Sequence, residues 1–295
     1  MTGFSDRLAA LVEERRSQIC LGLDPDPAKL AGEGEMAGDP EAPAAELAAA
    51  AVAKHCRSLI ERVGPSCVAV KPQLACFERL GAPGWRALEG VCAAAREAGL
   101  LVVADGKRGD VPVTAAAYAQ ALVGETPTPW GPVRGLGADA FTANPLLGRD
   151  ALEPLVAAAA EAGAGMFVLV RTSNPGAADF EDLPAPEAPL HERLAALVDE
   201  LSGRLQGEGQ LSGVGAVVGA TEPRHFGRMR ELMPRAIFLI PGVGAQGGRP
   251  ELLGAAFSAG RAAGLVAASR GIAGDPDPAA AAERLRQTVW EISTA

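Results

Sequence analysis

The chain has 295 residues, of which 48% are hydrophobic, 21% are charged and only 4% are aromatic. Its net charge of −9 argues against a nucleic-acid or anionic-membrane surface, although a local basic pocket can still hold an anionic substrate. The length fits one α/β barrel with insertions, and no run of apolar residues is long enough to predict a membrane span.

The first segment with helical spacing, Phe4–Arg16, is expected to cover the amino-terminal end of the fold. Acidic residues in this segment argue against a secretory signal. The five cysteines form no C-x-x-C pair and lie mostly in apolar stretches: Cys20, Cys56, Cys67, Cys76 and Cys92. They are expected to be reduced core residues, which predicts a cytoplasmic protein.

Apolar runs of strand length recur along the chain. They are Ile19–Asp24, Cys67–Pro72, Leu100–Asp105, Ala138–Ala143, Gly165–Arg171, Val214–Ala220, Ala236–Val243 and Gly264–Arg270. Segments with helical spacing follow them: Ala44–Arg62, Gly84–Ala98, Thr114–Val123, Gly148–Ala162, Leu190–Leu205, Pro223–Met233, Arg249–Ala263 and Pro278–Ile292. Because parallel strands buried on both faces are apolar throughout, the alternation predicts an α/β fold with a parallel sheet. Eight such strands favour a single (β/α)8 TIM barrel with an extra N-terminal helix, spanning residues 1–295 as one domain.

Three insertions interrupt this pattern. Pro25–Pro43 is rich in glycine, proline and acidic residues and is expected to be a surface loop. Gly124–Gly137 contains three prolines and a tryptophan, so we expect it to be irregular. Asn174–Pro189 follows the fifth strand and is a candidate for a mobile lid.

Functional residues of an α/β barrel collect at the carboxyl ends of its strands. The polar groups at these ends are Asp24, Lys71, Asp105, Lys107, Asn144, Arg171, Thr172, Ser173, Thr221, the stretch Pro241–Gln246, and Arg270. So many charged and amide groups directly after apolar runs predict a polar site at that end of the barrel.

The densest group of charges lies in the stretch Val103–Thr114. Residues two apart on a strand point to the same side, so Asp105 and Lys107 should project together. Asp110 lies past the strand end, and Thr114 follows about one helical turn later. On the residues alone, Asp110 is equally well explained as a helix N-cap.

Two glycine-rich segments after the last two strands predict an anion site, at residues 241–248 and 269–272. Glycines let backbone N–H groups approach an anion, and Arg270 can bind a phosphate with two parallel hydrogen bonds. The loops after strands seven and eight are also the usual phosphate site in this fold. A dinucleotide fingerprint fits less well, because the site comes late and no ribose-binding acid follows.

Other kinds of chemistry find less support. None of the three histidines lies at a strand end, which argues against a histidine-based metal site. Composition leaves open a magnesium site at Asp24 and Asp105, although the neighbouring lysines would repel a cation. A serine nucleophile lacks its G-x-S-x-G turn, whereas Lys71 as a Schiff-base lysine stays a competing interpretation.

Seven motifs in order resemble orotidine 5′-phosphate decarboxylase, and more closely the longer bacterial branch of that family. They are G-L-D-P at 22–25, V-K-P-Q at 70–73, D-G-K-R-G-D-V-P-V-T at 105–114, T-A-N-P at 142–145, R-T-S-N-P-G at 171–176, P-G-V-G-A-Q-G-G at 241–248 and A-S-R-G-I at 268–272. The resemblance implies decarboxylation of orotidine 5′-monophosphate to uridine 5′-monophosphate, the last step of de novo pyrimidine biosynthesis. It also implies that no metal or organic cofactor is used.

The resemblance assigns a catalytic network to Lys71, Asp105, Lys107 and Asp110. In it, Lys107 would protonate C6 of the pyrimidine, while Asp105 would lie against the substrate carboxylate and hold Lys107. Asp110 and Thr114 would reach into the site of a partner subunit, which implies a homodimer with shared active sites. Gly106 is a small departure, because alanine is common there in the family.

The remaining roles implied by the resemblance concern substrate binding. Asp24 and Lys71 would hold ribose hydroxyls, and either Thr172 or Ser173 would bind the pyrimidine edge. Gln246 and Arg270 would bind the 5′-phosphate. The predicted substrate-binding set is completed by Pro241, Ser269 and Gly271.

Two other functions remain as alternatives. One is a magnesium-dependent phosphosugar lyase of the same superfamily, such as 3-keto-6-phosphogulonate decarboxylase or hexulose phosphate synthase, which shares the D-x-K-x-x-D motif. The other is a non-catalytic barrel that binds nucleotides. Thr114, the R-T-S-N segment and Gln246 favour the pyrimidine interpretation.

Overall fold

The computed structural model describes residues 2–30, 42–184, 186 and 188–293. Most of the predicted loop Pro25–Pro43 therefore lies outside the described residues. The strands are β1 Ile19–Leu23, β2 Ala69–Pro72, β3 Leu101–Arg108, β4 Glu125–Thr126, β5 Val133–Arg134, β6 Ala140–Ala143, β7 Gly165–Arg171, β8 Ser212–Val218, β9 Ala236–Ile240 and β10 Gly264–Ala268. The α-helices are α1 Phe4–Arg15, α2 Ala44–Val63, α3 Leu74–Glu78, α4 Gly81–Glu97, α5 Pro112–Leu122, α6 Arg149–Ala162, α7 Ala177–Phe180, α8 Leu190–Ser202, α9 His225–Leu232, α10 Arg270–Ala273 and α11 Pro278–Ile292.

Eight parallel strands close into a barrel in the order β1-β10-β9-β8-β7-β6-β3-β2, which confirms the predicted fold. Alternation along each strand separates two apolar layers. In β1, Ile19 and Leu21 face the surrounding helices, whereas Cys20 faces the barrel interior. The same alternation brings the polar residues at the carboxyl ends of neighbouring strands to one mouth.

The helix α1 covers the amino-terminal end of the barrel, as predicted. Phe4, Leu8 and Val12 are at most 2% exposed and belong to the apolar layer inside the barrel. The ring of Phe4 packs edge-on against Phe167, with 5.8 Å between centroids. This end is therefore closed, and a substrate must enter from the opposite one.

Two predictions about the connections are wrong. The segment Arg249–Ala263 is not one helix but three short 3₁₀ helices: Pro250–Leu252, Gly254–Phe257 and Arg261–Ala263. Glycines interrupt the segment, and Gly260 has φ of +117°. The buried Arg230 guanidinium donates to the carbonyls of Ala256 and Ala263, which stabilises this non-helical path.

The insertion Gly124–Gly137 is not wholly irregular either. Its strands β4 and β5 pair antiparallel as a short ribbon, with Glu125 opposite Arg134. None of the described helices is both long and apolar enough to cross a membrane.

Candidate active site

A cavity of about 530 Å³ opens at the carboxyl end of the barrel. The predicted residues that line it are Asp24, Lys71, Asp105, Lys107, Thr172, Ser173, Pro241, Gln246, Ser269 and Arg270. A wider groove of about 1140 Å³ lies near the amino-terminal ends of β6 and β7. Its Arg7 and Asp139 pair with each other, and it contains none of the predicted site residues. The cavity at the carboxyl ends is therefore the candidate active site.

Asp105 is the centre of the charged part of this cavity. Its Oδ2 accepts a hydrogen bond from Lys71 Nζ at 2.5 Å, and its Oδ1 accepts one from Lys107 Nζ at 2.7 Å. The side chains of Lys71 and Asp105 are 10% and 6% exposed, whereas that of Lys107 is 45% exposed. Two lysines thus share one buried carboxylate, and the more open lysine faces the cavity.

The pKa values in this network follow from competition between burial and charge. Burial alone would lower the pKa of Lys71, but the attraction of Asp105 and Asp24 raises it overall. Burial would raise the pKa of Asp105, but Lys71 and Lys107 together lower it to about 2. Asp105 is therefore an anion and Lys71 a cation at neutral pH.

Lys107 has an unusual backbone conformation for a residue with a side chain. Its φ is +47°, and the pairing of β3 with β6 shifts register between Ala104 and Arg108. Such a conformation costs about 1–3 kcal/mol and persists only where the surroundings hold it. The Lys107 N–H donates to Thr142 Oγ1 at 2.8 Å, and Thr142 Oγ1 donates to Asp105 Oδ1 at 2.9 Å.

Gly106 fits closely beside the helix that follows β2. A Cβ atom added there would lie 2.8 Å from Leu74 Cδ1. An alanine at this position would therefore require the buried Leu74 side chain to move. The glycine leaves Asp105 and Lys107 in place.

The segment after β7 explains how Thr172 and Ser173 differ. Thr172 N–H donates to Glu181 Oε2 at 2.8 Å, and the Thr172 hydroxyl lies within hydrogen-bond distance of Glu181 and Asn174. Ser173 Oγ instead donates to Gln246 Oε1 at 2.9 Å, across the mouth of the cavity. The Thr172 hydroxyl is thus bonded within its own loop, whereas the Ser173 hydroxyl is bonded across the cavity mouth to Gln246, another predicted substrate-binding residue.

Arg171 does not line the cavity, although it lies at a strand end. Its guanidinium donates to both carboxylate oxygens of Asp182, at 2.9 and 3.0 Å, and its side chain is only 6% exposed. His191 Nδ1 lies 2.8 Å from the carbonyl oxygen of Glu181. These contacts anchor Glu181 and Asp182, in the middle of the segment Asn174–Pro189, so Arg171 supports the loop and does not bind substrate directly.

The predicted phosphate region is open to solvent. Gly242 and Gly244 have φ of +96° and +73°, a conformation that glycine adopts without strain. Gln246 and Arg270 are exposed beside them. Within the described ranges, the Arg270 guanidinium has no carboxylate partner, so it is available to an incoming anion.

Besides Arg171, five predicted positions lie outside this cavity: Asp110, Thr114, Asn144, Thr221 and Gly271. Thr221 Oγ1 donates to the carbonyl of Ser173 at 3.1 Å. The helix α5 begins at Pro112 with Val111 as its cap, and Asp110 Oδ1 accepts from the Val111 N–H at 2.7 Å. The N-cap interpretation of Asp110 is therefore wrong. Thr114 is exposed on α5. Because the shared site requires a second subunit, the shared-site assignment of Asp110 and Thr114 stays a prediction.

Asn144 and Gly271 do not line the cavity, and their immediate surroundings explain why. Asn144 Oδ1 accepts from the Leu146 N–H at 3.0 Å, which turns the amide toward its own loop. Gly271 is the second residue of α10, directly after Arg270, and does not line the cavity.

Two polar lining residues on or next to strands, Thr142 and Gln73, were not predicted as site residues. Ala140 faces the barrel interior, so alternation along β6 places Thr142 inside as well. The same alternation from Ala69 through Lys71 places Gln73 inside, where its Nε2 lies 3.4 Å from Asp105 Oδ2. The two-residue period of β6 and β2 is therefore sufficient to predict that Thr142 and Gln73 face the cavity.

All five cysteines are free thiols, as predicted, and all but Cys76 are buried. Burial raises the pKa of Cys20 to about 12, so that thiol is protonated at neutral pH. Among the residues that the structure describes, no group of three or more His, Cys, Asp or Glu side chains could hold a metal ion.

Comparisons with known proteins identify relatives of this chain. The model of the orotidine 5′-phosphate decarboxylase / HUMPS family matches residues 17–285. A protein from Deinococcus radiodurans named orotidine 5′-phosphate decarboxylase is 41% identical over 269 residues, which cover 91% of this chain and 88% of the relative. One of the same name from Rhodopirellula baltica is 40% identical over 276 residues, covering 92% of this chain and 88% of the relative.

Solved structures are also similar to this chain. The Leishmania donovani OMP decarboxylase matches with a TM-score of 0.76 and 33% identity, covering 99% of each chain. The Leishmania donovani UMP synthase matches with a TM-score of 0.79 and 34% identity, covering 100% of this chain and 57% of that one. On the extent of the family match and the identity to these relatives, the chain belongs to the orotidine 5′-phosphate decarboxylase / HUMPS family.

Proposed function

We propose that this protein is a carboxy-lyase that decarboxylates orotidine 5′-monophosphate to uridine 5′-monophosphate in pyrimidine biosynthesis. The observation that carries the proposal is the position of the Lys107 ammonium. It is held 2.7 Å from Asp105 inside a cavity whose other side carries Gln246 and Arg270. A nucleotide whose phosphate meets Arg270 can present its base to Lys107.

The chemistry requires a cation at that place. Loss of carbon dioxide from C6 leaves an electron pair that ring conjugation does not readily absorb, so stabilisation must come from a preorganised charge beside that carbon. Lys107 supplies both the charge and the proton that C6 receives. Asp105 would lie against the substrate carboxylate and holds Lys107 in position.

One lysine is not sufficient for the whole acceleration. A charge pair at about 4 Å is worth roughly 4 kcal/mol at an effective dielectric constant of 20. The largest enzymatic accelerations require upwards of about 20 kcal/mol. The remainder is proposed to come from phosphate binding at Gln246 and Arg270, which draws the segment 174–189 closed and expels water.

Other residues are proposed to orient the substrate. Asp24 and Lys71 hold ribose hydroxyls, and Ser173 binds the pyrimidine edge. Ser173 is favoured over Thr172 because its hydroxyl points across the cavity mouth to Gln246, whereas the Thr172 hydroxyl is bonded to Glu181 within its own loop.

The enzyme is proposed to be a homodimer in which Asp110 and Thr114 complete the partner's site. Both residues lie outside the cavity of their own chain, at the beginning of α5. The absence of a cofactor, the cytoplasmic location and the single domain over 1–295 stay predictions.

A magnesium-dependent phosphosugar lyase is the second candidate, because the matched family description joins the decarboxylase with HUMPS. The hydrogen bond from Ser173 to Gln246 favours the pyrimidine substrate, since it places two groups suited to a base edge and a phosphate across one opening. A barrel that only binds nucleotides is disfavoured by the intact network of Lys71, Asp105 and Lys107.

The test is a substrate comparison with the purified chain. Orotidine 5′-monophosphate should lose its absorbance and yield uridine 5′-monophosphate, whereas 3-keto-6-phosphogulonate and hexulose phosphates should not react. Turnover of the sugar phosphates alone would overturn the proposal. Tight binding of uridine 5′-monophosphate without any turnover would instead support the non-catalytic alternative.

A further inference from the structure

Thr142 joins the two central residues of the charge network. It lies on β6, next to β3 in the barrel, and it is 1% exposed. Its Oγ1 lies 2.8 Å from the backbone nitrogen of Lys107 and 2.9 Å from Oδ1 of Asp105. One buried hydroxyl therefore contacts both the backbone of the lysine and the carboxylate that holds its ammonium.

The direction of both hydrogen bonds is fixed by chemistry. A backbone N–H can only donate, so the Thr142 oxygen accepts from Lys107. The single hydroxyl proton is then directed to Asp105, which is anionic and can only accept. No other arrangement satisfies the three groups, so the hydroxyl orients Asp105 relative to the Lys107 backbone.

This contact acts where the backbone is strained. Lys107 has φ of +47° within the register shift between β3 and β6, a conformation that the surroundings must stabilise. Thr142 lies on β6, the strand relative to which β3 shifts its register. Asp105 Oδ1 accepts from both Thr142 and the Lys107 ammonium, so a change at Thr142 alters the anchor of the proton donor.

We propose that Thr142 is a positioning residue for the decarboxylation step, acting through Lys107 and Asp105. The proposal rests on the proposed function, because it assigns to Lys107 the role of proton donor. Without the hydroxyl, the Lys107 N–H has lost its acceptor and Asp105 has lost one of its donors. The Lys107 ammonium then moves away from its productive position. Substrate binding is mainly held by the opposite side of the cavity and is little affected.

The test compares Thr142→Val, which keeps the shape and removes the hydroxyl, with Thr142→Ser, which keeps the hydroxyl. Losing a hydrogen bond to a charged group corresponds to a kcat roughly 10- to 100-fold lower for Thr142→Val. We expect KM for orotidine 5′-monophosphate and the affinity for uridine 5′-monophosphate to stay within about threefold. This is the pattern expected when the interaction that is removed acts only in the transition state. Thr142→Ser should recover most of the kcat.

Ser212 offers a matched control at the other end of the barrel. It is also a buried strand hydroxyl, which accepts from the Val214 N–H at 3.0 Å and donates to the Ser202 carbonyl at 2.6 Å. Ser212→Ala should lower the thermal midpoint of unfolding without lowering kcat. A purely structural role for Thr142 would give Thr142→Val this same result.

The outcomes separate the two proposals. A wild-type chain without turnover of orotidine 5′-monophosphate overturns the proposed function and this inference together. An active wild type with Thr142→Val at an unchanged kcat overturns the inference alone. If Thr142→Val does not fold, Thr142→Ala replaces it in the comparison with Thr142→Ser, and equal kcat values for those two variants overturn the inference.

Discussion

The two sides of the cavity differ in how complete they are without a ligand. On the side of β2, β3 and β6, Lys71, Asp105 and Thr142 are buried and bonded to one another. On the side of β9 and β10, Gln246 and Arg270 are exposed, and Arg270 has no carboxylate partner within the described ranges. The first side is already assembled, whereas the second has a place for an anion.

This difference assigns separate tasks to the two sides. Charges fixed before the substrate arrives need no reorganisation during the reaction, which is the requirement for stabilising a transition state. Exposed groups gain most of their interaction energy when a ligand brings the opposite charge and excludes water. Changes on the first side should therefore lower kcat, and changes on the second should affect binding as well.

The largest effect is expected for Lys107→Ala. Removing both the cation and the proton donor should lower kcat by about 10³-fold or more. The fold should be retained, because the Lys107 side chain is 45% exposed. Steady-state turnover of orotidine 5′-monophosphate measures the effect, and Lys29→Ala, at a lysine whose side chain is 81% exposed outside the cavity, is the control. Retained activity in Lys107→Ala would remove the role assigned to this residue.

Mixing inactive subunits tests whether the first side is completed by a partner. If Asp110 serves the partner's site, Lys107→Ala and Asp110→Ala subunits should each be inactive alone. In a random mixture half of the dimers are mixed, and each has one intact site of two, so about one quarter of the wild-type activity should return. The absence of rescue in dimers shown to be mixed would contradict shared sites.

Arg270→Ala tests the second side. Leaving a phosphate without its charged partner should lower kcat/KM by about 30- to 1000-fold, and kcat itself should fall because closure is weakened. Orotidine, which lacks the phosphate, should react equally slowly with wild type and variant. Arg249→Ala, at an exposed arginine in the neighbouring loop, is the matched control. An unchanged KM and kcat would refute the phosphate assignment.

The smallest effect concerns stability at low pH. The pKa of Asp105 is lowered from 3.8 to about 2, so its stabilising contribution is present above pH 3.8 and is lost as the pH falls through about 2. The difference in unfolding free energy between wild type and Asp105→Asn should be constant near neutral pH. It should then shrink by about 2 kcal/mol between about pH 5 and pH 1. Urea unfolding at a series of pH values measures it, and a difference independent of pH would contradict the ion pairing.

Much of the fold was predictable because continuous apolar runs and strand alternation are local properties. The spacing of Asp105 and Lys107 placed both at one mouth of a barrel, and the structure confirms their contact. Thr142 was within reach of the same argument, since it lies two residues after the inward-facing Ala140. Asn144 was predicted to line the site instead, because an amide is more polar than a hydroxyl.

What could not be predicted depends on contacts between distant segments. Arg171 lies at a strand end like the site residues, but Asp182 withdraws it from the cavity. The segment Arg249–Ala263 has helical spacing, but the carbonyls of Ala256 and Ala263 bind the guanidinium of Arg230 on another element. The left-handed backbone of Lys107 likewise donates its N–H to a hydroxyl from β6, a separate strand.

The assembled charges of Lys71, Asp105 and Lys107 are proposed to perform the reaction without a metal ion. The most direct measurement is the turnover rate of orotidine 5′-monophosphate by the wild-type chain in excess EDTA, compared with the rate after magnesium is added. We expect the two rates to be equal. Turnover that appears only with magnesium would contradict the account and favour a metal-dependent lyase.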